Sequence, residues 1–233
     1  MKELDLVGQE WRNTGTTWTK NEQFDKDGYF VVKNLWDAKE LYHPLPPERG
    51  MYSWFGDRLD QFHQQQDVEE QVAGSLARYT HPQYKKIHIK IKNKLEEIIG
   101  RRLYETYYYD RYYFPGQELT RHADRDACEI SVTVHISTNI KQEWPIWVKT
   151  PDTFTDKTKK SLLTTGEDRS VILEPGDGMI YKGCERPHWR YLLPGTIDMQ
   201  LNPSQEQLYY HQIFFHYVLQ DGERAHCAWD NGQ

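Results

Sequence analysis

The chain has little cysteine and no long apolar run, and both shortages narrow what it can be. Cys128, Cys184 and Cys227 are its three cysteines in 233 residues, widely spaced and without a CxxC pair. A disulfide framework is therefore not expected, and a reducing, cytoplasmic setting is. No stretch approaches the ~20 apolar residues of a membrane-spanning helix. The opening MKELDLVGQEWRN alternates charge with apolar side chains, so no secretory leader is expected. Asn202 is followed by Pro203, which removes a glycosylation site. P-loop, GxGxxG, HExxH and GxSxG motifs are all missing. Excess positive charge is missing too. A net charge of −6 argues against nucleic acid and anionic membranes as partners.

Aromatic residues, by contrast, are plentiful. Sixteen Tyr and eight Trp favour a β-rich fold, because flat rings pack well on pleated surfaces. With 37% hydrophobic and 27% charged residues, the chain reads as one globular domain spanning 1–233. Within it, 1–103 reads as a mostly helical support region, 104–219 as the core and 220–233 as a tail.

In the first region, FDKDGYFVVKNLWDAKEL (24–41) suggests a turn at Asp27-Gly28, a short strand Tyr29–Lys33 and then a loop or helix start. Residues 57–72 are polar and helix-compatible. Tyr84, Ile87, Ile91, Leu95 and Ile98 recur at steps of three and four, which predicts a helix over 83–99 stopped by Gly100. Its lysines (85, 86, 90, 92 and 94) read as a solvated face. After Arg102 the texture changes to short β-type runs: 104–114, 128–137, 144–150, 170–174, 179–183, 187–193 and 208–219. Turn signals separate them, indicating a sandwich or barrel. The polar connections 151–169 and 194–207 are long enough to be lids or surface insertions.

One short motif carries chemistry. His122 and Asp124 sit two residues apart directly after a strand and turn, and His188 arrives far later. Strand residues i and i+2 face the same side, about 7 Å apart. Both side chains can then grip one ion, and a second imidazole from a neighbouring strand completes a three-ligand face. Such a face leaves coordination positions open, as in non-haem iron(II) oxygenases. A lone H-x-D also occurs by chance, so the surrounding sequence has to decide.

That surrounding sequence resembles a family. Tyr113-Phe-Pro-Gly116, followed by Gln-Glu-Leu119-Thr-Arg-His122-Ala-Asp124, is similar to the Y-x-x-G-x-x-x-x-x-H-x-D signature of prolyl-4-hydroxylase-like 2-oxoglutarate/iron(II) oxygenases. EPGDGMIYKG (174–183) resembles the strand-turn-strand before their distal histidine, and Pro187-His188 stands where that histidine belongs. FDKDGYFVVKN looks like their entry segment. The resemblance covers 104–219 firmly and 24–35 loosely. It implies an α+β protein built on a double-stranded β-helix, a jelly-roll or cupin-like barrel, with an N-terminal helical layer. It also implies Fe(II) on His122, Asp124 and His188, with 2-oxoglutarate and O2 as co-substrates and oxidation of a peptidyl or small-molecule substrate. By position, Tyr113 would contact the 2-oxoglutarate carboxylate region and His135 would supply a further polar contact. His43, His63, His81, His88 and His226 match no pattern and read as surface residues.

One departure stands out. The family usually clamps the far carboxylate with Arg or Lys nine or ten residues past the distal histidine. Ile197 and Asp198 occupy those places, and the last strand opens Leu208-Tyr209-Tyr210-His211 without a cation. A buried dianion needs a partner. Arg190, two residues after His188 and so on its face, is the first candidate, Lys149 the second, with Lys182 and Arg186 behind. The rival readings are a cupin-type metal isomerase or lyase, and an inactive barrel used as a binding module.

Overall fold

The computed structural model describes residues 21–40, 63–64, 71–150, 166–195 and 207–230. It is a two-sheet barrel in which the core strands form a double-stranded β-helix. From Leu103 onward the chain passes between the sheets. β4 (Leu103–Tyr113), β6 (Ile130–Thr138), β9 (Gly178–Tyr181) and β11 (Tyr210–Leu219) join the larger sheet. β5 (Leu119–His122), β7 (Ile146–Lys149), β8 (Asp168–Val171) and β10 (His188–Arg190) make the smaller one, in the order β5-β10-β7-β8. The seven runs expected from the sequence are seven of these strands, with ends moved by up to a few residues; β5, which carries His122, is a further strand outside those runs.

Three N-terminal strands extend the larger sheet. β1 (Tyr29–Val32) pairs antiparallel with β9 at one edge, and β3 (Leu76–Tyr79) with β4 towards the other, carrying β2 (His63–Gln64) outside it. At His63–Gln64, then, the helix-compatible stretch 57–72 is a strand; residues 65–70 and 57–62 lie outside the described residues. So do most of the long connections, at 151–165 and 196–206. A short helix, α1 (Glu22–Asp27), leads into β1. It closes at Gly28, whose φ of +76° suits glycine. A Cβ there would also collide with the buried Arg186 guanidinium, whose Nε donates to the Asp27 carbonyl at 3.0 Å.

Helix α2 (Pro82–Ile99) shows why the larger sheet has an apolar outer face. His81 caps its start, Pro82 fills the first turn and Gly100 ends it at φ +67°. Its stripe of Tyr84, Ile87, Ile91, Leu95 and Ile99 packs on Tyr108, Ile130, Val132, Val134, Ile180, Ile213, Phe215 and Tyr217. Strand alternation then turns the residues between these toward the barrel interior. Two expectations for this helix need correction. His88 is no surface residue: it is buried among Tyr108, Phe215 and Tyr217, and its Nε2–H donates to the His216 carbonyl at 3.1 Å. Lys92 is buried too, 2.7 Å from Glu105, while Lys85, Lys86, Lys90 and Lys94 are exposed. Helix periodicity marks apolar positions and says nothing of a polar side chain on the buried edge that meets a partner from another strand.

A second buried ion cluster fastens β3. Arg78 grips Asp110 with two hydrogen bonds of 3.0 and 2.7 Å, and His211 Nε2 reaches the same carboxylate at 2.8 Å. The shared carboxylate ties β3, β4 and β11 together. No disulfide joins the three cysteines among the described residues. Among the described residues, no helix is long and apolar enough to cross a membrane.

Candidate metal centre

The pairing of β5 with β10 sets His122 directly opposite His188. Their rings lie 4.3 Å apart, centroid to centroid. Just past the end of β5, the Asp124 amide donates to the Gly183 carbonyl at 2.9 Å, which turns the Asp124 side chain back under both rings. Asp124 Oδ1 is 3.4 Å from His122 Nε2 and 3.5 Å from His188 Nε2. These gaps are long for hydrogen bonds. They are near the ~3 Å separation of neighbouring ligands around an octahedral ion with bonds of about 2.1 Å. One donor atom from each residue falls within a common 4.8 Å, so the three could hold one metal ion.

Each donor is aimed from behind. His122 Nδ1 lies 2.7 Å from the Thr120 carbonyl, and His188 Nδ1 lies 3.0 Å from the Arg186 carbonyl. A carbonyl only accepts, so each Nδ1 carries the proton and each Nε2 presents a lone pair. Asp124 Oδ2 accepts from Ser131 Oγ at 3.1 Å, and that hydroxyl is itself 2.9 Å from His216 Nδ1. Gly183 makes room for this arrangement: a Cβ there would overlap Asp124 Oδ2, the Cys128 carbonyl and Ser131 Oγ. Burial alone would raise the Asp124 pKa, but His188 and His122 hold its carboxyl well below the usual range. Burial pulls His188 down to about 4, keeping it neutral and able to bind metal at physiological pH.

The barrel beyond these donors is lined by polar side chains. β6 alternates apolar residues under α2 with Ser131, Thr133 and His135 facing inward, all buried. His135 Nδ1–H donates to the Leu173 carbonyl at 2.6 Å, its ring stacks on Tyr210 at 4.1 Å, and its Nε2 has no partner among the described residues. Tyr113 is fully buried, edge-on to Trp144 at 4.9 Å, with its hydroxyl unpartnered among the described residues.

The clamp candidates fall in different places. Arg190 is buried in the interior. Its Nη1 donates to the Trp144 carbonyl, its Nη2 reaches Gln212 Oε1 at 3.0 Å and Tyr210 Oη at 3.5 Å, and its guanidinium lies over the Trp144 and Tyr210 rings. Lys149 as a co-substrate contact is corrected. Val148 points inward on β7, so its neighbour faces away, and Lys149 pairs with Asp168 at 2.9 Å. Lys182 sits over the Phe24 ring, and Arg186 holds the α1 terminus. A further interior cation was missed from sequence. Arg111 is 2% exposed, with its guanidinium 5.3 Å from the Tyr109 ring centroid and 5.7 Å from that of Tyr113. Its place two residues before Tyr113 was the available signal.

No protein-family model and no curated protein sequence matches the chain. Solved structures do resemble it. A prolyl hydroxylase from Trichoplax adhaerens, solved with a hypoxia-inducible-factor oxygen degradation domain peptide fragment, covers 97% of this chain and 96% of its own, at TM-score 0.53 and 14% identity. A Pseudomonas putida prolyl-4-hydroxylase covers 84% and 95%, at TM-score 0.50 and 12% identity. The non-heme alpha-ketoglutarate-dependent epimerase SnoN, from nogalamycin biosynthesis, covers 83% and 78%, at TM-score 0.50 and 11% identity. The chain shares the double-stranded β-helix fold of these solved structures.

Two outcomes follow from the packing around the donors. Ser131→Ala removes the hydroxyl that steadies Asp124, and should weaken Fe(II) or Co(II) binding by 10- to 100-fold without unfolding the protein. Metal titration followed by circular dichroism reads both. The second outcome concerns acid. Burial lowers His88 to about 3 and His135 and His216 to about 4, so all three stay neutral in the fold. In the unfolded chain they protonate near pH 6.5. Stability is therefore complete above that value and is lost as pH falls toward 4, by about 1.4 kcal/mol per pH unit per histidine. Urea midpoints of metal-free protein should drop steeply between pH 6.5 and 4.5; a flat profile would mean these rings are hydrated.

Proposed function

We propose that this protein is an iron(II)- and 2-oxoglutarate-dependent oxygenase that oxidises, by default hydroxylates, a peptidyl residue or a small molecule. One observation carries the reading: two imidazole Nε2 atoms and one carboxylate converge on one point, each fixed from behind. Two histidines and one carboxylate on a single face are the donor set of non-haem iron(II) oxygenases. The solved relatives support it by fold, and two are named for prolyl hydroxylation.

When bound, iron(II) with 2-oxoglutarate and O2 supplies the oxidising chemistry, with succinate and CO2 as by-products. The chain's own residues do the positioning. His122 and His188 offer neutral Nε2 donors, and Asp124 adds the negative charge that offsets part of the metal's. Ser131 and the backbone at Gly183 keep that carboxylate from swinging away. The inward Tyr109, Phe214 and Tyr181 keep bulk water from the interior behind the donors. Arg190, Tyr113 and His135 lie in that interior, where a dicarboxylic keto acid would reach past the metal. Three cysteines without a disulfide among the described residues suit a reducing, cytoplasmic setting.

Adding Fe(II) and 2-oxoglutarate together to the anaerobic protein should produce a visible charge-transfer band, and admitting O2 should yield succinate. Asp124→Ala should produce neither. A wild-type protein that binds Fe(II) yet never develops the band would favour a cupin-type isomerase or lyase.

A further inference from the structure

Behind the metal donors lies a part of the barrel whose hydrogen-bonding groups are mostly donors with nothing to donate to. Gln212 of β11 stands opposite Arg111 of β4 on one side and His135 of β6 on the other, so these residues form one row across the larger sheet. Arg111 Nε and Nη1, the Tyr113 hydroxyl, Gln212 Nε2 and Arg190 Nε are all buried without a partner among the described residues. Neither arginine makes an ion pair among those residues. A guanidinium cannot shed its proton, and a buried cation without a counter-ion is strongly disfavoured. What fits such a site is an anion rich in acceptor oxygens.

We propose that Arg111, with the Tyr113 hydroxyl, anchors the far carboxylate of the keto acid, taking over the role of the cation missing from β11. The assignment rests on the oxygenase reading above. Arg190 is the less suitable anchor, because its Nη1 serves the Trp144 carbonyl and its Nη2 serves Gln212 Oε1 and Tyr210. It acts instead as a positioning residue. By holding Gln212 Oε1 it leaves the Gln212 amide nitrogen free to donate, and it adds a second positive charge to the same space.

The spacing agrees. His216 lies opposite Ser131, which touches Asp124, and Gln212 is four residues further along β11. Four strand residues span roughly 13 Å. The Arg111 guanidinium sits at the level of its own row, between the Tyr109 and Tyr113 rings, so a short keto diacid with its other end at the metal would lie in the interior between the two rows. Thr133 of β6 lies between the two rows, its hydroxyl also unpartnered among the described residues.

The test compares two keto acids on the intact chain. Anaerobic Fe(II) protein is titrated with 2-oxoglutarate and with 2-oxopentanoate, which has the same chain length but no far carboxylate, and calorimetry and the charge-transfer band are read together. Wild type should prefer 2-oxoglutarate strongly. Arg111→Met should lose most of that preference, on the order of 100-fold in affinity for a lost charged hydrogen bond, while still binding Fe(II) and 2-oxopentanoate as before. Arg111→Lys keeps the charge without the fork and should fall between. Arg190→Met should cost less than Arg111→Met. Added guanidinium should restore 2-oxoglutarate binding to Arg111→Ala, a rescue that a merely structural role would not give. An undiminished preference in folded Arg111→Met or Arg111→Lys overturns the assignment, and its loss in Arg190→Met alone moves the anchor to Arg190. In both cases the wild-type band keeps the oxygenase reading intact. A wild type without any band removes that reading and this inference together.

Discussion

Two imidazoles from distant parts of the chain can meet one carboxylate only if β5 and β10 pair in the register that sets His122 opposite His188. Strand side chains alternate, so a slip of one residue would send one ring outside the barrel. The register is held on both sides: β10 also pairs with β7, placing His188 opposite Val148. The Asp124–Gly183 backbone bond then carries the chain across, bringing the third donor in without a further strand. The close fit at Gly183 is a consequence, because the carboxylate, the Cys128 carbonyl and the Ser131 hydroxyl already fill the space a larger residue would need.

The same alternation explains how a polar interior is tolerated. In most barrels the inward positions supply the apolar core. Here much of the apolar packing lies outside the larger sheet, where α2 buries one face of β4, β6, β9 and β11. That leaves the inward positions of β6 and β11 free to carry Ser131, Thr133, His135, Gln212 and His216. Thr133, His135, Gln212 and His216 each keep a polar atom without a partner among the described residues, which costs stability unless a ligand meets it, and buried neutral histidines make the fold sensitive to acid. Such costs are expected at a site built to receive a charged ligand.

Much of the architecture was legible because local patterns carry it. Helix α2 showed in its three-and-four spacing, and the core strands in their aromatic and β-branched runs between turns. The H-x-D pair was legible from its spacing, although only His122 lies on the strand and Asp124 is brought in past its end by the backbone bond to Gly183. What stayed hidden depends on contacts between distant segments. β3 has no distinctive pattern, and its place is fixed by Arg78 meeting Asp110. His88 and Lys92 look solvated in a helical pattern and are buried because Tyr217, the His216 carbonyl and Glu105 come to meet them. Lys149 was one residue out of phase with the inward Val148. Arg111 lay inside an unbroken tyrosine-rich strand, where a charged residue reads as an outward-facing one until its neighbours' faces are known.

The central claim is that His122, Asp124 and His188 hold a single metal ion. Anomalous diffraction at the iron edge, from crystals grown anaerobically with Fe(II), tests it most directly. One strong peak within bonding distance of His122 Nε2, His188 Nε2 and an Asp124 oxygen is the expected result. A peak elsewhere, or none with these side chains ordered, would contradict it.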